Sequence, residues 1–397
     1  MFFEPVRFCC FLFKLFQFTG NLPFIFDEQR KIFLLSKWLV LWTIILLSLA
    51  TIILGSGYTY IYFPRLSKHM LHDLLTVIQI SINYCIVLSS YVSVLLFLNK
   101  LGKVLNQLCF LFRKLLNEEV DFDKRLLRKL QCKILFVHCF LYILANSLYL
   151  LTSPDYKHTE FYVLVLHFIG EVLMFVPVCF FEYFIVVGSV LYRNINHQVV
   201  HAVGLLRDFD KNAAYWDKHK IRKTRLCCRV GKQILDLCEL HCKTNEALDQ
   251  ITQILSLPIM LVSMYEFILI TSSVYYTYTS VVDDLHLGYP ANYIGYSSTL
   301  MYAFGLSCQV YFKASFCEQV TRRAQRTGSL LNEFIIADVD ETVDLCVENF
   351  SLELLHQNFA IEIFGLFSVN MRHVYELVAT MTGYLIILVQ VQMTADY

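Results

Sequence analysis

The sequence predicts an all-α membrane protein with seven transmembrane helices, a cytoplasmic N-terminus and an extracellular C-terminus. The chain has 397 residues, is 57% apolar and carries no net charge. A bilayer core about 30 Å thick needs about 20 residues of helix to cross it. Apolar segments of about that length, all without Lys or Arg, cover residues 38–62, 74–98, 134–151, 161–192, 251–276, 293–312 and 374–392.

The basic residues are concentrated in alternate connections between these segments. All but three of the 33 Lys and Arg residues lie in the N-terminus and in the second, fourth and sixth connections. The other side of the membrane holds Arg65, Lys68 and Lys157. Because excess Lys and Arg stays on the cytoplasmic side, the N-terminus is predicted inside and the C-terminus outside. A G-protein-coupled receptor has the opposite orientation.

Composition and motifs argue against other classes of protein. The apolar content excludes a disordered chain and disfavours a soluble enzyme. Zero net charge gives no reason to expect a nucleic-acid partner. The sequence has no nucleophile elbow, phosphate-binding loop or HExxH motif, and His197 and His201 share one helix face but stand alone. We expect a single domain over residues 1–397, without catalytic residues, a metal site or a cofactor.

Helices are also predicted outside the apolar segments. Residues Arg193–Asp210 continue the fourth segment as a helix, with no Pro among them to end it, and residues 214–250 lead as a helix into the fifth. A further helix is expected from Asp338 to Phe359. The last two carry amphipathic stripes, which indicate packing beyond the membrane. The stripes are Leu226, Val230, Ile234 and Leu237 in one helix, and Val343, Val347, Phe350 and Leu354 in the other.

The N-terminal residues have helical spacing as well, and two interpretations of that helix are open. It could lie on the inner leaflet, or it could pack against the cytoplasmic end of the bundle. The apolar residues that define it are Phe8, Phe11, Leu12, Leu15 and Phe16.

Carboxylates inside membrane segments are costly, so each is a candidate for a functional role. Glu171 and Glu182 share a face of the fourth segment on either side of Pro177, and Glu266 lies near the middle of the fifth. Glu182 and Glu376 lie near the inner ends of their segments and are expected to reach cytoplasmic water.

The predicted outer loops are short, so an external ligand must enter the helix bundle itself. Tyrosines are frequent in the outer halves of the segments, where they could form an interfacial belt or line a pocket for a small organic molecule. For the carboxylates, a structural hydrogen bond inside the bundle remains the alternative. The candidate ligand-binding residues are His167, Glu171, Glu266, Tyr275 and Tyr296.

The seventh segment ends in an unusual way for a membrane helix. From Thr382 it reads Thr-Gly-Tyr, five aliphatic residues and then Gln390. A Gln that faces lipid is unfavourable, so Gln390 is expected to face protein or water. If several copies surround an axis, Gln390 and the aliphatic residues below it would form a polar-over-apolar constriction, which can gate by dewetting.

This segment resembles the signature of insect gustatory receptors, which is Thr-Tyr, five hydrophobic residues and Gln-Phe. Residues 364–367, Phe-Gly-Leu-Phe, and the polar turn after them are also similar to that family. The resemblance covers the whole chain in architecture and roughly residues 350–392 in sequence. The chain departs from the signature at Gly383, which separates Thr382 from Tyr384, and at Val391, where Phe is usual.

The resemblance implies a ligand-gated, non-selective cation channel of four subunits whose last helices surround one pore. A homo-tetramer and a hetero-tetramer with related subunits are both open. On this resemblance Gln390 and Val391 form the constriction, and Leu388, Ile387 and Tyr384 lie nearby. The ligand would be a tastant, and bitter or other small organic compounds fit the few clustered polar groups better than sugars. The chain would lie in the plasma membrane of gustatory neuron dendrites. A seven-helix transporter and a G-protein-coupled receptor are the alternatives.

Overall fold

The computed structural model of this chain describes residues 5–61, 70–116, 124–141, 143–144, 147, 161–211, 213–287, 292–334 and 341–395. Within them, six of the seven apolar segments coincide with helices over most of their length. The third is described continuously only over residues 134–141, and most of the first two predicted outer loops lies outside the described residues.

The elements follow the chain in this order. The N-terminal third contains helix α1 (Pro5–Phe18), the antiparallel strands β1 (Phe24–Asp27) and β2 (Ile32–Leu35), and helices α2 (Lys37–Ile61), α3 (Met70–Leu96) and α4 (Leu98–Leu116). Helix α5 (Lys124–Lys133) continues as a π-helix over Ile134–Leu141. The long helices α6 (Phe161–Lys211), α8 (Lys220–Leu287) and α9 (Tyr293–Leu331) follow, with the short α7 (Ala213–Lys218) between the first two. The chain ends with α10 (Glu341–His356), the hairpin β3 (Glu362–Ile363) and β4 (Phe367–Ser368), and α11 (Met371–Ala395).

Three helices in the described part of the chain are long and apolar enough to cross a membrane, over residues 170–206, 220–286 and 371–391. A fourth is obtained if residues 81–96 and 98–115, which are bent by 76°, count as one span. In α2, residues 37–52 form a shorter apolar stretch of helix. Its outer face nevertheless exposes an apolar stripe suited to lipid, namely Leu41, Ile45, Leu49 and Ile52.

The predicted extensions of the bundle are confirmed. Helix α6 continues to Lys211, and α8 is 68 residues long, or about 100 Å at 1.5 Å per residue. Because of this length α8 contacts α3, α4, α6, α9, α10 and α11. The stripes are buried as expected, with Leu226 only partly covered and the others enclosed: Val230, Ile234, Leu237, Val343, Val347, Phe350 and Leu354.

The N-terminal helix α1 packs against the bundle, which decides between its two interpretations. Phe8, Leu12 and Phe16 are buried, and the Phe16 ring lies edge-on to Phe180 of α6 at a centroid distance of 5.0 Å. The indole Nε1 of Trp42 donates to the Phe18 carbonyl at 2.8 Å, which ties the end of α1 to α2.

Two lysines that flank the apolar segments are drawn into the bundle by carboxylates. Lys133 donates to Glu182 Oε1 at 2.5 Å, and both side chains are almost fully buried. The expectation that Glu182 reaches water was therefore wrong, because Lys133 neutralises it inside the protein. Glu376 is exposed and pairs with Arg372 at 2.9 Å, as its position near the segment end predicted.

The second buried pair joins α8 to α9. Lys313 Nζ donates to Glu266 Oε2 at 2.6 Å and to Ser263 Oγ at 3.2 Å. The amide of Gln309, one turn earlier on α9, donates to Glu266 Oε1 at 2.8 Å. Both carboxylate oxygens are thus satisfied, which meets the condition for keeping a charge in a low-dielectric interior.

The variant Lys133→Met is expected to lower the melting temperature of the purified protein clearly. It leaves the Glu182 carboxylate buried without a cation, and losing one partner of such a pair costs about 3–5 kcal/mol. The double variant Lys133→Met/Glu182→Met should recover most of the loss, because an apolar pair of similar volume needs no neutralisation. Lys129→Met, at an exposed position of the same helix, is the control. Equal melting of Lys133→Met and Lys129→Met would contradict a stabilising role for the pair.

Candidate functional site

The last helix, α11, touches the bundle along one narrow side. Met381 is buried there, with Leu377 and Leu385 half-buried one turn away on either side. The Tyr384 ring lies edge-on to Phe267 of α8 at 5.8 Å. At its start, the backbone N–H of Met371 donates to Glu318 Oε2 of α9 at 3.0 Å, which fixes the helix where it leaves the hairpin.

The opposite side of α11 is uncovered. Ala379, Gly383, Ile386 and Gln390 follow at spacings of four, three and four residues, so they share one face, and all four are exposed. A Cβ built on Gly383 would meet no atom within 4 Å. In the most apolar 18-residue stretch of α11 only 6% is buried by the rest of the chain, whereas 83% of the corresponding stretch of α6 is buried. An apolar helix so little covered by its own chain needs lipid or other protein around it.

The predicted pore residues divide between these two sides. Gln390 lies at the centre of the uncovered face. Tyr384, Ile387 and Val391 are exposed along the edge of that face. Leu388 is half-buried on the side toward the bundle. The helix therefore separates Leu388 from Gln390, and it places Ile386 and Gly383 beside Gln390 instead.

A chain of hydrogen bonds links Glu171, in the first turns of α6, to two further helices. The Tyr302 hydroxyl on α9 donates to Glu171 Oε1 at 3.0 Å. Tyr302 and the Tyr265 hydroxyl of α8 lie 3.0 Å apart and share a second hydrogen bond. Glu171 is 4% exposed and Tyr265 1%, so the carboxylate accepts from the Tyr302 hydroxyl inside the bundle, and Tyr265 extends the chain of hydrogen bonds. The arrangement presents an acceptor and two aromatic rings to the interior of the bundle.

The other predicted ligand-binding residues lie apart from this network. Glu266 is held by Lys313 and Gln309, eleven and seven residues beyond Tyr302 on α9. Tyr275 is buried on α8, and the Tyr296 hydroxyl donates to the carboxylate of Asp284 near the C-terminal end of α8. His167 lies on α6, but its side chain is outside the described residues.

Sequence reasoning missed Tyr265, Tyr302 and Lys313. Tyr265 and Tyr302 lie within apolar segments rather than at their ends, where tyrosines form interfacial belts. A buried tyrosine hydroxyl needs a hydrogen-bond partner, and the buried Glu171 carboxylate needs a donor. These two needs could have predicted a hydrogen bond between Glu171 and a tyrosine within an apolar segment. Lys313 stands directly after the sixth apolar segment, where it was counted with the cytoplasmic residues.

Sequence comparison relates this chain to chemosensory receptors. A profile described as 7tm chemosensory receptor matches residues 9–395. The gustatory receptor for bitter taste 66a of Drosophila melanogaster is 23% identical over 173 residues, which is 42% of this chain and 32% of that protein. A second protein of the same fly, named as gustatory receptor 94a, is 21% identical over 222 residues, or 55% of this chain and 54% of its own length. The chain thus aligns with about a third and about half of these two relatives.

Structural comparison agrees over a longer range. The insect olfactory receptor OR5 from Machilis hrabei covers 97% of this chain and 98% of its own, with a TM-score of 0.65 and 13% identity. The structure of that receptor in complex with eugenol gives a TM-score of 0.60 at 14% identity. This likeness shows a shared seven-helix receptor fold. Together with the profile match over nearly the whole length, it establishes that this chain is a membrane protein without enzymatic activity that belongs to the 7tm chemosensory receptor family.

Proposed function

We propose that this chain is a subunit, built as one seven-helix domain, of a tastant-gated, non-selective cation channel. The main support for this proposal is the uncovered face of α11, where the Gln390 amide lies in line with Ile386 and Gly383 on an apolar helix. Lipid would leave that amide unsatisfied, whereas a water-filled pore between copies would hydrate it. Four copies, either identical or from related subunits, would bring these faces together around one axis.

On this proposal the pore residues are revised from those of the sequence analysis. Gln390 keeps its place in the constriction, with Ile386 and Gly383 below it. Val391, Ile387 and Tyr384 lie at the edge of the pore face, where they would contact the neighbouring subunit. Leu388 packs toward its own bundle. Gly383 leaves the helix slender, which would widen the path or allow a close approach between helices.

The proposed tastant site is the hydrogen-bonded group Glu171, Tyr302 and Tyr265. Aromatic walls with few polar anchors suit small organic molecules, and an amine or phenol could exchange for one of the tyrosine hydroxyls. Two comparisons support this ligand class: one relative carries bitter taste in its name, and the receptor from Machilis hrabei has been solved with eugenol. We place bitter and other small organic compounds first among the ligands to be tested.

Gln390→Ala is expected to change single-channel conductance or cation selectivity while surface expression stays normal. The change replaces an amide by a methyl group on the face that would border the pore, without touching the packed side. Single-channel recording in a heterologous cell measures it. Gln29→Ala, in the exposed turn between β1 and β2, is the control of the same residue type. Unchanged conductance and selectivity in Gln390→Ala would remove this residue from the pore.

Glu171→Gln is expected to raise the half-maximal ligand concentration by about tenfold. A neutral amide accepts a weaker hydrogen bond from the ligand than a carboxylate does. Single-channel conductance should not change, because Glu171 lies on α6 and away from α11. Whole-cell dose–response curves give the first quantity and single-channel records the second. Glu348→Gln, at an exposed position of α10, is the control. An unaltered dose–response curve would return Glu171 to a purely structural role.

The orientation proposed here puts the N-terminus in the cytoplasm of a gustatory neuron and the C-terminus outside. It rests on the distribution of basic residues. An epitope tag before Met1 is expected to bind antibody only after the plasma membrane is permeabilised, whereas a C-terminal tag should be labelled on intact cells. Labelling of the N-terminal tag on intact cells would reverse the orientation.

A further inference from the structure

A cleft of about 620 Å³ lies next to the inner ends of the apolar segments, far from the Glu171 group. One wall is α8 over residues 239–252, and the other is formed by the end of α10 and the turn before β3. Residues of α9 and Tyr192 of α6 form the base. We call this space the inner cleft. Its volume is in the range of sites that hold a small molecule.

The walls of the inner cleft carry an excess of negative charge. Glu246 and Asp249 lie on the α8 wall, and Glu353 and Glu362 on the opposite wall. Their hydrogen-bond donors are neutral groups. Glu246 accepts from the amides of Gln250 and Gln107, and Asp249 accepts from Gln253. Glu353 accepts from the Gln357 amide and the Cys242 thiol, and Glu362 accepts from Asn358. Among the described residues, no basic nitrogen lies within 4.0 Å of any of these four carboxylates. The cleft therefore has acids on two facing walls, none of which forms a salt bridge with a described residue, and Lys100 is the one described cation that acts on Asp249 from nearby.

The lysine that lines the inner cleft is already engaged. Lys243 Nζ pairs with Glu239 at 2.5 Å and lies 5.2 Å from the centre of the Phe110 ring. Its charge is thus satisfied by Glu239 at the edge of the cleft, and it does not neutralise the four acids.

One buried hydroxyl in the inner cleft has no hydrogen-bond partner among the described residues. It belongs to Tyr192, whose side chain is 1% exposed and lines the base of the cleft. A buried polar atom without a partner is costly, so this position favours a ligand that forms a hydrogen bond with it. The phenol oxygen can accept that bond from a ligand that donates.

The same walls include the aromatic rings of Tyr192 and Phe359. A group that only donates, carries positive charge and lies well against aromatic faces is an ammonium. Two facing pairs of carboxylates call for more than one such group, linked by an apolar chain.

We propose that the inner cleft binds a small aliphatic polyamine. One ammonium lies between Glu246 and Asp249, and another between Glu353 and Glu362. The methylene chain between them crosses the aromatic base, and an ammonium donates to the hydroxyl oxygen of Tyr192. The bound amine joins α8 to α10. Because α10 leads directly through the β3–β4 hairpin into α11, the ligand would hold the base of the last helix in place. This site depends on the fold alone and is independent of the proposed tastant site.

The test is isothermal titration calorimetry of the purified full-length chain in nanodiscs with spermidine. We expect saturable binding of one spermidine per chain that weakens as salt is added, since the acids are partly open to solvent. Asp249→Asn/Glu353→Gln should weaken binding by about tenfold through two lost ionic contacts. The matched control Asp236→Asn/Glu348→Gln removes two acids from the same helices outside the cleft and should bind as the wild type does.

A second variant keeps the test decisive if the double variant does not fold. Tyr192→Phe removes one oxygen without changing charge or shape, and it should weaken spermidine binding by a few-fold while the melting temperature is retained. The proposal fails if spermidine shows no saturable binding to the wild type. It also fails if cleft and control variants bind equally, or if Ca²⁺ binds at these acids and spermidine does not compete with it.

Discussion

The pairing of two buried glutamates with two lysines is the constraint on which the rest of the bundle depends. Glu182 with Lys133 joins α6 to α5, and Glu266 with Lys313 joins α8 to α9. A carboxylate without its lysine at these depths would cost several kcal/mol, so each pair holds its two helices in one register. The register of α8 and α9 in turn brings Tyr265 to Tyr302, which donates to Glu171, and α8 presents Phe267 to the last helix.

Three consecutive residues of α8 bring the parts of the molecule together. Tyr265 shares a hydrogen bond with Tyr302, Glu266 pairs with Lys313, and Phe267 contacts Tyr384 of α11. Tyr302 and Lys313 also lie on one helix, about 16 Å apart along its axis. In a channel of the proposed kind, a ligand that displaces Tyr302 would act through packed, hydrogen-bonded contacts on the helix that borders the pore. The structure needs no flexible linker for such coupling.

Sequence predicted the helices well and their side-chain partners poorly. The stripe from Leu226 to Leu237 was recognisable because burial on one helix face follows local spacing. The partners of Glu182 and Glu266 are 49 and 47 residues away in the chain, and no local pattern reports such a distance. Lys133 and Lys313 were also assigned to loops because an apolar segment was ended at the first charge. The chemistry of an amide in a membrane helix predicted only that Gln390 avoids lipid, whereas its neighbours on the uncovered face could be identified only from the helix geometry.

The claim that the uncovered face of α11 borders an ion pathway can be tested most directly by cysteine accessibility. Ile386→Cys should carry a ligand-evoked current that a charged, membrane-impermeant thiol reagent blocks. Ile45→Cys, on the exposed apolar face of α2, should conduct without block, as should the wild type. Block at Ile386 alone is the predicted result. A current that persists after Ile386→Cys is fully labelled, or that is blocked equally in Ile45→Cys, would contradict the account.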